Sequence, residues 1–187
     1  PEAYSTRANT SHKLQQYQPA LLHYKHPIHI NPQDIEAYYN RANVYHKIKP
    51  YPEAIADYTR IISYNSHHAP TYYNRGTTYL TSQQYLQAIS DFTQAIHLNS
   101  EYAEAYYNRA IAHSKIHEYQ QAIADHQQAI HLRPKYAEAY GNLGLVFQAL
   151  AEKRKAVKNL QIAADLFKQQ QNKALYRYVL QKIEELT

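Results

Sequence analysis

The chain has 187 residues, a formal net charge of +5 and a pI of about 9.2, with 44% hydrophobic residues, 21 tyrosines and no Cys, Met or Trp. That apolar content suffices for a packed core and argues against disorder or a collagen-like chain, and without cysteine there is no disulfide, zinc–thiolate site or thiol nucleophile. The three glycines, Gly76, Gly141 and Gly144, cannot build a phosphate-cradling loop, and no apolar run approaches the roughly 20 residues of a membrane span.

No basic-then-apolar leader opens the chain, and the expectation is a soluble, cytoplasmic protein. A start at Pro1 without an initiator Met is what a fragment or processed form would show, with any upstream signal removed. From there the sequence repeats. PEAYSTRA (1–8) is followed by IEAYYNRA (35–42), APTYYNRG (69–76), AEAYYNRA (103–110) and AEAYGNLG (137–144). A second phrase trails at fixed distance, as PEAIADY (52–58), LQAISDF (86–92) and QQAIADH (120–126). The expected units are 1–34, 35–68, 69–102, 103–136 and 137–170, with 171–187 left over.

In the first unit Pro27 falls where a second helix should continue, which predicts a kinked or short helix. In the second, Tyr38, Arg41, Ala42 and Tyr45 share one helical face, and Ala54, Tyr58, Ile61 and Ile62 share another. Each unit is therefore expected to be an antiparallel helical hairpin. Small residues at Ala8, Ala42, Gly76, Ala110 and Gly144, and at Ala20, Ala54, Ala88, Ala122 and Ala156, let the two backbones approach. Tyr4, Tyr38, Tyr72, Tyr106 and Tyr140 fill the wider gap beside that contact. Asn31-Pro32, Asn65-Ser66, Asn99-Ser100 and Arg133-Pro134 end the second helices. In the last segment Ala174, Leu175, Tyr178, Val179, Ile183 and Leu186 form an apolar stripe opposite Lys173, Gln181, Lys182, Glu184 and Glu185. That pattern predicts a capping helix with a polar outer side. No matching cap precedes Pro1, so further chain on that side is expected.

These 34-residue hairpins, with their aromatic and small positions recurring in register over residues 1–170, resemble bacterial tetratricopeptide repeats, with Tyr where that family often has Trp. The resemblance implies an all-α fold, a right-handed α-α superhelix (solenoid) of five 34-residue helical hairpins plus a C-terminal capping helix. It also implies that the first helix of each hairpin lines the concave side, where function is to be sought.

On those helices Tyr39, Tyr73 and Tyr107 follow the packing tyrosine, and Asn40, Asn74, Asn108 and Asn142 come next, with Asn43 on the same surface. An Asn amide offers a donor and an acceptor, so a ladder of them can pair with an extended peptide backbone of any sequence. The ladder is similar to those lining the superhelix of O-GlcNAc transferase, where they hold substrate backbone. Four such bonds at roughly 0.5–1.5 kcal/mol each fall short of the about 8 kcal/mol of micromolar binding, so the tyrosines must add contact area. The plainer alternative is that Asn is tolerated there and the tyrosines pack on adjacent helices.

The family's carboxylate clamp, which grips the acidic C-terminal tail of heat-shock chaperones, finds its asparagines here as Asn9 with Asn40, or Asn43 with Asn74. Its cation places instead hold Ser5 or Tyr39, Pro70 or Glu104, and Asn74 or Asn108. With Glu36, Glu104 and Glu138 along the surface, a carboxylate tail is repelled, and no chaperone-tail binding is expected. Titration with an acidic C-terminal peptide checks this, and saturation at micromolar concentration would overturn it.

Arg41, Arg75 and Arg109 recur with Asp57, Asp91 and Asp125, and in the last unit both change together, to Leu143 and Asn159. Joint presence and joint loss predict structural ion pairs rather than an anion-binding ladder. Among the twelve histidines, His113 and His117 lack a third ligand, and His29, His97 and His131 lie on the expected outer side; no metal or cofactor is expected. No Ser/His/Asp set or carboxylate pair has a supporting frame, so the chain is read as not an enzyme. The positive charge is spread out, and its densest cluster, Lys153, Arg154, Lys155 and Lys158, lies away from the inner groove; nucleic acid is not the expected partner. The reading is an adaptor that binds an extended peptide of a protein partner, with assembly of larger complexes as a process suggested by family analogy. The alternative is a structural or self-association module, within a longer chain or a homo-oligomer.

Overall fold

The computed structural model describes Thr10 and residues 16–187, which fall into two compact units, one ending at Leu98 and one beginning at Asn99. Among the described residues there are ten α-helices and no strand. The expectations on Tyr4, Ser5, Ala8 and Asn9 lie outside the described residues.

The first unit holds α1 (Tyr17–Ile30), α2 (Ile35–Ile48), α3 (Tyr51–Tyr64), α4 (Ala69–Thr81) and α5 (Tyr85–Leu98). α2 begins where Asp34 accepts the Ala37 N–H at 2.9 Å, with Glu36 adding charge to its first turn. α1 and α3 end at Asn31 and Asn65, whose side-chain oxygens accept the N–H of Gln33 (3.1 Å) and His67 (3.0 Å) and turn the chain toward the next helix. α1 is 14 residues long, as long as α2 and α3, so Pro27 does not shorten it; its ring is buried. α2 packs on α3 through Tyr38, Ala42, Ala54, Tyr58 and Ile61, all at or below 5% exposure. α4 packs on α5 at Gly76, where an added Cβ would stand 2.9 Å from the Phe92 ring.

The second unit holds α6 (Ala103–Lys115), α7 (Tyr119–Leu132), α8 (Ala137–Ala149), α9 (Lys153–Gln169) and α10 (Lys173–Glu184). α6 pairs with α7 and α8 with α9, and α10 lies on α9. Ala137, Leu160, Ala163, Phe167 and Val179 form the core there, with Tyr176, Leu180 and Ile183 partly buried against it. α10 is rotated from the expected stripe. Its buried face runs through Tyr176, Val179, Leu180, Ile183 and Leu186, while Ala174, Leu175 and Tyr178 face outward. The Phe167 side of α9 is best filled by residues three and four apart around Val179, and that choice leaves Leu175 and Tyr178 on the edge.

Each turn within a helical pair contains one residue with left-handed backbone: Lys49, Gln83, His117, Ala151 and Gln171, with φ between 57° and 78°. None is glycine, although this conformation costs a side-chain-bearing residue roughly 1–2 kcal/mol. The apolar packing of the paired helices therefore imposes the turn geometry, and the turn residue follows.

Candidate functional site

The tyrosines and asparagines predicted to face a partner are half-buried, and Asn74 and Asn142 bond to tyrosines among them. In the first unit the Asn74 amide donates through Nδ2 to the Tyr39 hydroxyl at 2.9 Å and to Asn43 Oδ1 at 3.0 Å. Asn43 Oδ1 also accepts the Tyr58 hydroxyl at 2.5 Å. The Tyr39 ring meets Tyr58 edge-on at 6.2 Å and His68 at 5.8 Å, and Tyr73 leans on Phe92 at 5.9 Å. Burial lifts the Tyr39 phenol above its ordinary pKa, the Asn74 bond pulling it back, and lifts Tyr58 further. In the second unit Asn142 Nδ2 donates to the Tyr107 hydroxyl at 3.0 Å, while the Tyr107 ring rests against Tyr136 (4.8 Å) and His126 (5.7 Å). Asn40 and Asn108 are half-buried on their helices. The donor side of the Asn74 amide thus joins neighbouring hairpins, and its carbonyl oxygen is the group it can offer to a ligand.

Each unit has a cavity of about 320 Å³ on this face. The first is lined by Asn43, His46, Lys47, Tyr58, Asn74 and Thr77. The second includes Ile111, Ser114, Lys115, His126, Asn142 and Leu145 in its wall. These are the same six repeat positions, displaced by 68 residues. The linings differ in chemistry. In the first, His46 Nδ1 meets Thr78 Oγ1 at 3.0 Å; burial and then Lys47 lower the His46 pKa. In the second, Ser114 Oγ and both ring nitrogens of His126 are buried with no hydrogen-bond partner. Leaving a buried polar group unpaired costs roughly 1–3 kcal/mol, so two such residues at one cavity require a reason. Burial alone pushes the His126 pKa down to about 3 and keeps its imidazole neutral at physiological pH.

The arginines sit elsewhere. Arg41, Arg75 and Arg109 each donate through Nε and Nη2 to both carboxylate oxygens of Asp57, Asp91 and Asp125, at 2.7–2.8 Å. Each guanidinium also lies over a helix-neighbour ring, Tyr38, Tyr72 or Tyr106. Burial raises the Asp91 carboxyl above the ordinary range, against the pull of Arg75. In the last hairpin Leu143 is buried with Phe147 and Ala156, and Asn159 donates to the Lys155 carbonyl of its own helix.

His113 contacts Glu118 at 2.6 Å and His117 contacts the Tyr119 hydroxyl at 2.8 Å. Among the described residues no group of three or more His, Asp or Glu could hold a metal, and no helix is long and apolar enough to cross a membrane. In the basic cluster Lys155 pairs with Glu152 at 2.5 Å and lies over the Phe147 ring.

Reasoning from sequence passed over His46, Ser114 and His126, and took Tyr58 only as a packing residue. The signal was present in the repeat column Tyr24, Tyr58, Phe92, His126, Leu160, where one imidazole stands among aromatic and aliphatic core residues.

Family models described as tetratricopeptide repeat match residues 35–68, 73–115 and 103–136, and one described as TPR repeat matches 8–49. No curated protein matches the sequence. Solved structures agree in fold. A crystal structure of MamA is 22% identical with a TM-score of 0.84, the match covering 88% of this chain and 96% of that one. YrrB, described as a TPR protein with an unusual peptide-binding site, is 21% identical with a TM-score of 0.78, over 95% and 90%. The first TPR of Spaghetti (RPAP3), bound to the HSP90 peptide SRMEEVD, is 29% identical with a TM-score of 0.62, over 64% and 94%. The architecture is that of an all-α helical-repeat solenoid.

Proposed function

The chain belongs to the tetratricopeptide repeat family of protein-interaction scaffolds, and from that premise we propose that it holds an extended segment of a partner protein against the first helices of its hairpins, without chemistry of its own. The observation that carries this reading is the recurrence of one cavity per unit at the same repeat positions, each walled by a ladder asparagine, Asn74 or Asn142. Asn40, Asn74, Asn108 and Asn142, with Asn43, supply polar groups for a peptide backbone, and Tyr39, Tyr73 and Tyr107 supply contact area. YrrB and RPAP3, described as peptide-binding, use the same fold. The lysine and arginine places of the acidic-tail clamp hold Tyr39, Glu104 and Asn108 in the register whose asparagines are Asn43 and Asn74, so the SRMEEVD peptide is expected not to saturate the chain at micromolar concentration.

The test is capture of partners from lysate, identified by mass spectrometry, comparing the wild type with Asn40→Ala/Asn74→Ala/Asn108→Ala at equal helicity. A partner lost from the triple variant is the expected result. Partners retained equally, or none recovered, would remove the ladder from function. One observation favours a second reading, self-association: Leu175 and Tyr178 on α10 are 36% and 45% exposed beside a small cavity. Light scattering separates the two, since mass rising with concentration and abolished by Leu175→Glu supports association.

A further inference from the structure

The polar groups at the two equivalent cavities have different partners, and the difference follows from four positions. In the first unit Tyr58 gives its hydroxyl to Asn43, and His46 pairs with Thr78. Sixty-eight residues on, the polar members are His126 and Ser114, while the counterparts of Asn43 and Thr78 are Ile111 and Val146. An alkyl side chain neither donates nor accepts. Both polar residues have therefore lost their internal partner, in the same cavity, at once. His126 is 0% exposed, neither of its nitrogens nor Ser114 Oγ is bonded, and both residues line the 320 Å³ opening together with Asn142.

From this arrangement, and resting on the peptide-binding reading above, we propose that the cavity between α6, α7 and α8 is a specificity pocket for a carboxamide side chain, Gln or Asn, of the bound segment. A neutral imidazole presents one N–H and one lone pair, and a serine hydroxyl both donates and accepts. A primary amide carries a donor and an acceptor side by side and satisfies either imidazole tautomer while bonding to Ser114. A carboxylate or ammonium would have to shed its water with no buried counter-charge: the cation at this cavity, Lys115, is exposed, and His126 is uncharged. An aliphatic side chain would fill the space against Leu145 and Val146 but leave the three polar atoms unpaired. Sites built to hydrogen-bond a ligand reject analogues that lack the bond for this reason.

The experiment is selection of a displayed library of random 12-residue peptides on the wild type and on Ser114→Ala/His126→Leu, checked for equal helicity; leucine is the residue the chain itself uses at Leu160. Wild type should enrich peptides with Gln or Asn at one shared position, and the variant should replace it there with Leu, Ile or Val. In the best wild-type peptide, changing that Gln to Leu should weaken binding about tenfold or more on the wild type and little on the variant. Selected peptides with no preference at any position, or with Glu, Lys or Ser there, would overturn the pocket while leaving peptide binding intact. Failure of either protein to enrich any peptide would overturn both. A second variant, His126→Phe, copies Phe92 and should keep or raise the melting temperature while losing the Gln preference. A histidine that served only packing would lose stability and leave the preference unchanged.

Discussion

Arg75→Leu is expected to lower the stability of the first unit by about 3–5 kcal/mol at pH 7, the cost of leaving a buried charge without its partner. The Arg75 and Asp91 side chains are 15% and 5% exposed and joined by two bonds of 2.7 Å, and Arg75 also donates to Thr59 Oγ1 at 2.9 Å. In the variant Asp91 stays buried with nothing to oppose desolvation, so its folded pKa, already held above the ordinary range by burial, climbs further. A carboxyl raised in the folded state favours folding below its unfolded pKa and loses that contribution as pH rises through the folded one. The deficit should accordingly be largest at neutral pH and shrink in acid, which urea denaturation at pH 7 and pH 4.5 would display. Arg75→Leu/Asp91→Asn imports the Leu143 and Asn159 pair of the last hairpin and should recover much of the loss. An unchanged melting temperature in Arg75→Leu would show that the pair contributes nothing.

The second large effect is steric, and two glycines three residues apart separate it from helix propensity. A Cβ at Gly144 would stand 2.7 Å from Leu160 Cγ and 3.1 Å from the Ala156 carbonyl oxygen, whereas one at Gly141 meets only Ala163 Cβ at 3.8 Å. Both lie inside α8, where Gly→Ala by itself gains roughly 1 kcal/mol. Gly141→Ala should keep most of that gain. In Gly144→Ala, Leu160 is buried and the carbonyl belongs to helix backbone, so α8 and α9 must separate, at a net cost of about 1–3 kcal/mol. Thermal melts of the two variants should move in opposite directions, and parallel shifts would mean that the close approach of α8 and α9 is not needed.

The hairpins were legible because a 34-residue period puts the small residues and the large ones in columns, and columns specify which faces meet. Helix ends were legible for the same reason, through Asn31, Asn65 and Arg133. The rotation of α10 was not, because a single terminal helix has no column: Leu175 and Tyr178 flank the stripe as well as Val179 and Ile183 do, and only the shape of α9 decides between them. The asparagine column was visible, but not its use. The bond from Asn74 to Tyr39 spans 35 residues and depends on the offset between successive helices, which periodicity leaves open. Likewise, His126 could be singled out by comparing its column, but that its partner position holds Ile111 emerges only when Tyr58 is seen to bond Asn43.

The five left-handed turns have a consequence for how this sequence can drift. Lys, Gln, His, Ala and Gln occupy them, each holding a conformation glycine would adopt freely. The repeats thus keep a latent margin of stability in their turns. A lineage that loses ground through a damaging change elsewhere can regain part of it by a glycine at 49, 83, 117, 151 or 171, without altering a side chain inside any of the ten helices.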